Sequence, residues 1–197
     1  PGGRMCREAT GYRVAKRLLD LGLSAVGMVV LAPLLGVIVL AIRLESRGAA
    51  FFRQERIGLR GKPFMIYKFR TMDIDSPTFS PKPTSFDDER ITRLGRFLRR
   101  SSLDELPQLV NVLKGEMSLV GPRPEQPFLV ERYGDWQRRR LTVPPGMTGW
   151  WQVNGRKQPM HDYVEEDLYY IKHRSFLFDL RILLRTINAV ARADGSL

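Results

Sequence analysis

From Leu21 to Ile42 the chain reads LGLSAVGMVVLAPLLGVIVLAI, 22 residues without a charge. As a helix this run extends roughly 33 Å, close to the ~30 Å hydrocarbon core of a bilayer. Membrane contact follows from that length. A cleaved secretory signal fits poorly, because the apolar run is too long and no small-residue cleavage pattern precedes the cationic RLESRG that ends it. The segment is expected to stay in the protein.

Pro33 lies near the middle of the run. It has no N–H to donate and clashes with the carbonyl of Val29, an insertion that costs ~3 kcal/mol in a straight helix, so a kink is expected there. Arg13, Lys16 and Arg17 precede the run, and Arg43, Arg47 and Arg53 follow it. The charge asymmetry that orients a spanning helix is therefore missing. Periodicity leaves an ordinary kinked transmembrane helix and a re-entrant one equally open, and the basic flanks favour re-entrance, with both ends on the cytoplasmic side.

The rest of the 197 residues suits one domain, with 43% hydrophobic residues to form a core. One cysteine, Cys6, excludes an internal disulfide, and two histidines, His161 and His173, supply no zinc cluster. The net charge of +11 and pI near 10.3 call for an anionic partner, which charge alone leaves open between nucleic acid, anionic lipid and a phosphorylated substrate.

The expected fold class is α+β and mostly helical. Residues 1–11 read as a disordered or non-native start, 12–47 as a re-entrant helix-break-helix, and 48–197 as an interfacial catalytic domain. AAFFRQERIG and KPFMIYKFRTM, separated by turn signals at Gly58 and Gly61, predict a β-hairpin. Residues 73–89, with three prolines, read as a mobile loop over whatever lies beneath. Ile91, Leu94, Phe97 and Leu98 alternate with arginines in the pattern of a basic amphipathic helix. Further helices are predicted from about Asp104 to Leu113, Glu125 to Arg140 and Asp162 to His173. A last one carries Phe176, Leu180, Leu183, Leu184, Ile187 and Val190 on one stripe. There is no internal repeat.

The chemistry concentrates in SLDELPQLVNVLKGEMSLVGPRP, from Ser102 to Pro124. Ser102, Leu103, Asp104 and Glu105 match an S-x-x-E capping box, with Pro107 tolerated in the first turn. A helix start alone does not explain the cations around it: Lys68, Arg70, Arg99, Arg100 and Arg123. A carboxylate at a helix N-terminus among positive charges is expected to stay ionised with a lowered pKa, as a nucleophile must. Consecutive residues diverge by about 100° on a helix, so Asp104 and Glu105 cannot face each other across a bond, but both can approach one metal. With histidine and cysteine scarce, that metal is expected to be Mg²⁺.

The run RRSSLDELPQLVNVLKGEMSLVGPRP, with KFRTM upstream and VPPGMTGWWQVNGR downstream, resembles the bacterial sugar transferases, the polyprenyl-phosphate hexose-1-phosphate transferases also described as small monotopic phosphoglycosyl transferases. The resemblance extends from about Lys16 to the last helix. It implies a UDP-sugar donor, an undecaprenyl phosphate acceptor, Mg²⁺, and placement in the bacterial inner membrane at its cytoplasmic face. It implies the first membrane step of a glycoconjugate pathway. Asp104 would attack the sugar-bearing phosphorus and expel UMP, and the lipid phosphate would then displace the aspartyl phosphosugar in a ping-pong scheme. Glu105 would bind metal or orient the nucleophile, since a lipid phosphate with its second pKa near ~6 has little need of a general base. By the same resemblance Lys68, Arg70, Arg99 and Arg123 would hold phosphate, and Gln152, Asn154 and Arg156 are weaker donor-binding candidates. The family's re-entrant helix breaks at a Ser-Pro pair. Here the pair is Ala32 and Pro33, so the proline is kept and the hydroxyl is lost.

Two rivals stand beside this reading. One is a non-catalytic, membrane-anchored basic protein that binds anionic lipid or nucleic acid, although no nucleic-acid module is present by pattern. The other is an enzyme of the same fold that hydrolyses the diphosphate. No motif encodes which sugar is transferred, and a homodimer is left open.

Overall fold

The computed structural model describes residues 10–76, 85, 87–154 and 164–191. The first element, α1, is a helix over Thr10–Glu45 that continues through Pro33, so the two segments expected on either side of the proline form one element. Proline removes a single donor and its ring opposes a single carbonyl, and the helix runs on past both. Among the described residues α1 is the one helix long and apolar enough to cross a membrane, with a mean hydropathy of 2.8 in its most apolar 18-residue window.

Although the uncharged run within α1 is apolar all round, the burial of the helix is one-sided. Asp20, Ser24, Ile38 and Ile42 are buried, and Met28, Leu31, Leu35 and Val39 pack against the two core clusters. These positions recur at steps of three and four, which is one helix face. Leu18, Val26, Val29, Val30, Val37 and Leu44, on the other side, are exposed. Both ends of α1 are fastened to the rest of the chain. Near the start, Lys16 pairs with Asp179 at 2.9 Å and Arg17 donates to the Val112 and Leu113 carbonyls. At the end, Glu45 accepts from the Leu94 N–H at 2.8 Å.

The expected hairpin is present. β1 (Phe51–Ile57) and β2 (Pro63–Phe69) pair antiparallel with Phe51 opposite Phe69 and Ile57 opposite Pro63. The basic helix is also present as α2 (Arg93–Arg100), started by Thr92, whose side chain accepts from the Gly95 N–H. Gly95 is required where it stands, because a Cβ there would lie 2.2 Å from the Thr71 carbonyl oxygen. The ends of the long loop are joined by Asp73 N–H to Arg90 O, while residues 77–84 and 86 lie outside the described residues.

Other elements depart from the sequence reading. The helix expected from Asp104 is a 3-10 turn over Leu103–Gln108 followed by α3 (Leu109–Lys114). Ser102 does not cap it: its backbone is left-handed (φ 56°) and its side chain makes no capping bond. Pro107 has no N–H to give to either kind of ladder, so the hydrogen-bond run is interrupted here and α3 starts only at Leu109. The single helix expected over Glu125–Arg140 is instead α4 (Pro127–Glu131), α5 (Asp135–Arg138) and a 3-10 turn to Thr142. Gly134 separates the two helices and caps the second from an extended conformation.

Two three-residue strands were not anticipated. β3 (Ser118–Val120) and β4 (Gly146–Thr148) pair in parallel, the second inside what reads as a simple PPGMTG turn. The chain closes with α6 (Trp150–Asn154), α7 (Val164–His173) and α8 (Phe176–Ala191). The larger core gathers Ile66, Val112, Met117, Val120, Tyr170 and Ile182, and the smaller one joins the end of α1 to Phe69 and Leu98.

Candidate active site

The 3-10 turn carrying Asp104 and Glu105 lies against β2 and α2, and both carboxylates are buried, Asp104 at 5% exposure and Glu105 at 9%. Glu105 Oε1 accepts from Lys68 Nζ at 2.7 Å and from Arg123 Nη2 at 2.8 Å. β2 supplies the lysine, and the stretch after β3 supplies the arginine between Pro122 and Pro124. Asp104 Oδ1 is buried with no hydrogen-bond partner.

The two neighbours therefore titrate in opposite directions. Burial pushes the Asp104 carboxyl up from 3.8 to about 6, against the pull of Lys68, Arg99 and Arg123 and with a further push from Glu105. For Glu105 burial acts upward too, but the charges and hydrogen bonds of Arg123 and Lys68 outweigh it and hold the group well below the usual carboxylate range. The expected lowering of Asp104 is thus corrected. With Ser102 left-handed there is no regular helix start to supply a dipole, and the nearest cations bond the adjacent carboxylate instead. A group titrating near 6 is still mostly ionised at neutral pH.

Arg99 lies on α2 with its Nε donating to Thr71 Oγ1 at 2.8 Å, and its charge acts on Asp104. Lys68, Arg99 and Arg123 are thus gathered about the dyad. Arg70 is placed elsewhere: its guanidinium donates to the Ser46 and Arg47 carbonyls and to Ser46 Oγ, beyond the end of α1. It satisfies carbonyls that a helix end leaves open. Gln152, buried on α6, donates to the Met147 carbonyl at 2.9 Å and ties α6 to β4. Asn154 reaches Glu166 at 3.4 Å. Arg156 lies outside the described residues.

The sequence reading missed a supporting network. Arg140 is buried and bonds Asp167 through Nε and Nη2, each at 2.8 Å, donates to Tyr133 Oη, and donates to the Arg123 carbonyl at 3.0 Å. The backbone that presents Arg123 is thereby held from behind. A charge-rich stretch such as EED gives no sign that its third acid is buried. Asn111, fully buried, accepts from Tyr67 N–H and donates to the Met65 carbonyl, locking α3 to β2 beside Lys68. No group of three or more histidine, cysteine or acidic side chains converges among the described residues. Any metal at the dyad would rest on two carboxylates and on substrate oxygens.

A family model of bacterial sugar transferases matches residues 11–193. The chain belongs to the bacterial sugar transferase family. It is 41% identical over 184 residues to the uncharacterized sugar transferase EpsL of Bacillus subtilis, covering 92% of this chain and 90% of that one. It is 42% identical over 205 residues to a UDP-glucose:undecaprenyl-phosphate glucose-1-phosphate transferase of Caulobacter vibrioides, covering 100% and 76%. With the Escherichia coli enzyme of the same name it shares 41% over 184 residues, 89% of this chain and 40% of that protein. The residues matched by the family model, 11–193, span the dyad, Lys68, Arg99, Arg123 and all of α1 after Thr10.

Proposed function

We propose that this protein is a phosphoglycosyl transferase that moves a sugar 1-phosphate from a UDP-sugar to undecaprenyl phosphate. The observation that carries the reading is the dyad itself: a buried aspartate with an unpartnered oxygen, next to a glutamate that already occupies two cations. Relatives named as undecaprenyl-phosphate glucose-1-phosphate transferases and, in Salmonella typhimurium, as an undecaprenyl-phosphate galactose phosphotransferase supply the reaction class. Family membership disfavours a non-catalytic basic binding protein.

In the proposed chemistry an Asp104 oxygen attacks the sugar-bearing phosphorus. The bond from that phosphorus to the bridging oxygen breaks, and UMP leaves with the electron pair. An oxygen of the lipid phosphate then attacks the same phosphorus, breaks its bond to Asp104 and regenerates the carboxylate. Glu105, fixed by Lys68 and Arg123, positions those cations so that they neutralise charge on the transferring phosphoryl group, with Arg99 adding to the same field. Asp104 and Glu105 would hold Mg²⁺ together with substrate oxygens, and the ion would supply further neutralisation of the diphosphate.

The geometry of α1 supports a monotopic placement in the membrane. A 36-residue helix extends roughly 54 Å, yet its start contacts Asp179 and its end contacts Leu94 of the same folded body. A helix crossing the bilayer would carry one of those ends to the opposite side, away from a charged domain that cannot follow it. Both ends on one side, with the exposed valines and leucines in lipid, make the protein monotopic. The cytoplasmic face is where a UDP-sugar is available. Purified protein given Mg²⁺, a panel of UDP-sugars and undecaprenyl phosphate is expected to release UMP over many turnovers only when the lipid is present. Sustained release without lipid would point to hydrolysis, and no release with any donor would count against the assignment.

A further inference from the structure

A second basic site lies away from the dyad. A cavity of about 230 Å³ is bounded by the first turns of α1, the turn between β1 and β2, the segment 142–144 and the end of α7. Its walls carry Arg13, Lys16, Arg17, Arg60 and Arg174, against one acid, Asp20. Asp20 is itself committed, accepting from the Leu119 N–H at 3.0 Å. Lys16 and Arg17 are anchored to Asp179 and to the last carbonyls of α3, which fixes the wall on which the other cations stand. None of Lys68, Arg99, Asp104, Glu105 and Arg123 lines this cavity, and the turn that carries Arg60 is at the far end of β2 from Lys68, with roughly 17 Å of strand between Pro63 and Lys68.

Arg60 gives an independent indication. It holds a left-handed backbone, φ 57° and ψ 28°, in the turn Leu59–Gly61. Glycine or asparagine adopts that conformation with less steric cost, so the arginine there is a strained residue of the kind that marks functional sites. The cavity is smaller than the ~300–1,000 Å³ typical of sites for drug-sized ligands. It has room for a phosphate group and its immediate ester, not for a whole nucleotide sugar. Its floor is the stretch of α1 that immediately precedes the uncharged run at Leu21.

We propose that this cavity is a phosphate-ester site at the membrane surface, distinct from the catalytic dyad, in which Arg60 and Arg13 take the phosphate of an anionic lipid headgroup. Guanidinium forks match phosphate oxygens in a bidentate way that a neutral headgroup does not reward. The site does not depend on the transferase reading, and its test uses binding rather than turnover.

The full chain in uncharged detergent, followed by native mass spectrometry, would be offered short-chain phosphatidylglycerol and, separately, diacylglycerol of the same chains. Retention of phosphatidylglycerol over diacylglycerol is expected, with at least tenfold weaker retention in Arg13→Gln/Arg60→Gln. The pair Arg93→Gln/Arg181→Gln, which removes equal charge elsewhere, should bind as the parent does. Arg60→Asn guards against misfolding, because asparagine relieves the backbone strain: its melting temperature should equal or exceed the parent's while lipid retention falls. Displacement of the lipid by excess inorganic phosphate would assign the site to soluble phosphate esters and overturn the headgroup, and failure to displace it would support the headgroup. Equal losses in both charge-removal pairs, no loss in the cavity variants, or equal retention of diacylglycerol would each overturn the proposal.

Discussion

Replacing Asp104 by asparagine separates the stability of the site from its chemistry. The carboxyl titrates at 3.8 in an unfolded chain and near 6 when folded, with burial as the largest cause. Because the folded state holds the proton more tightly, stability from this group falls as pH rises from about 4 to about 6 and then levels off. At about 1.4 kcal/mol per pKa unit, the ionised aspartate costs the folded protein up to about 3 kcal/mol at pH 7.5. The asparagine side chain carries no such charge. For a chain of this length that corresponds to a rise in melting temperature of up to ~10 °C. The assay is thermal unfolding in detergent at pH 4 and pH 7.5 for parent and Asp104→Asn. The variant should be more stable at pH 7.5, the advantage should vanish at pH 4, and UMP release should be lost. A variant no more stable than the parent at pH 7.5 would refute the claim that the nucleophile is held at a cost to the fold.

The neighbouring substitution Glu105→Gln should act with the opposite sign, because it strips two partly buried cations of their shared carboxylate; a loss of about 1–3 kcal/mol is expected, read by chemical unfolding. For the parent, kcat/KM should fall toward acid pH, since the proposed nucleophile is the ionised form of Asp104, and Mg²⁺ on the same carboxylate would move the inflection below its metal-free position near 6; a kcat/KM that rises toward acid pH would contradict this. Asp167→Ala leaves the Arg140 guanidinium buried without its acid and should destabilise by about 3–5 kcal/mol, with Arg123 loosened as a consequence and KM for the donor raised. Arg70→Ala should lower the melting temperature with KM little changed, whereas Arg99→Ala should raise KM more than it lowers stability.

The membrane helix, the hairpin and the basic helix were legible because each rests on a local pattern: an uncharged run, two stretches of aromatic and β-branched residues around glycines, and apolar residues at helical spacing. The dyad was legible as a motif, but its electrostatics were not. The direction of the Asp104 shift depends on burial and on which carboxylate the cations choose, and both are set by segments as distant as Lys68 and Arg123. Arg70 shows the limit of reading proximity in sequence. It is two residues from Lys68, yet the chain leaves the strand after Phe69, so its side chain meets the end of α1 instead. The strands β3 and β4 were invisible because three residues carry no period, and their pairing rests on the close approach of Gly121 and Gly146. The Arg140–Asp167 pair was equally hidden, since nothing local distinguishes a buried charge from a solvated one.

The central claim is that Asp104 becomes covalently linked to the phosphosugar. Intact mass recorded after the protein meets Mg²⁺ and a panel of UDP-sugars, without lipid, tests it most directly. The account predicts a mass increase equal to one sugar phosphate on the parent, absent from Asp104→Asn and discharged by undecaprenyl phosphate. Lipid-dependent turnover with a donor that never yields an adduct on rapid quenching, or an adduct that persists in Asp104→Asn, would contradict it.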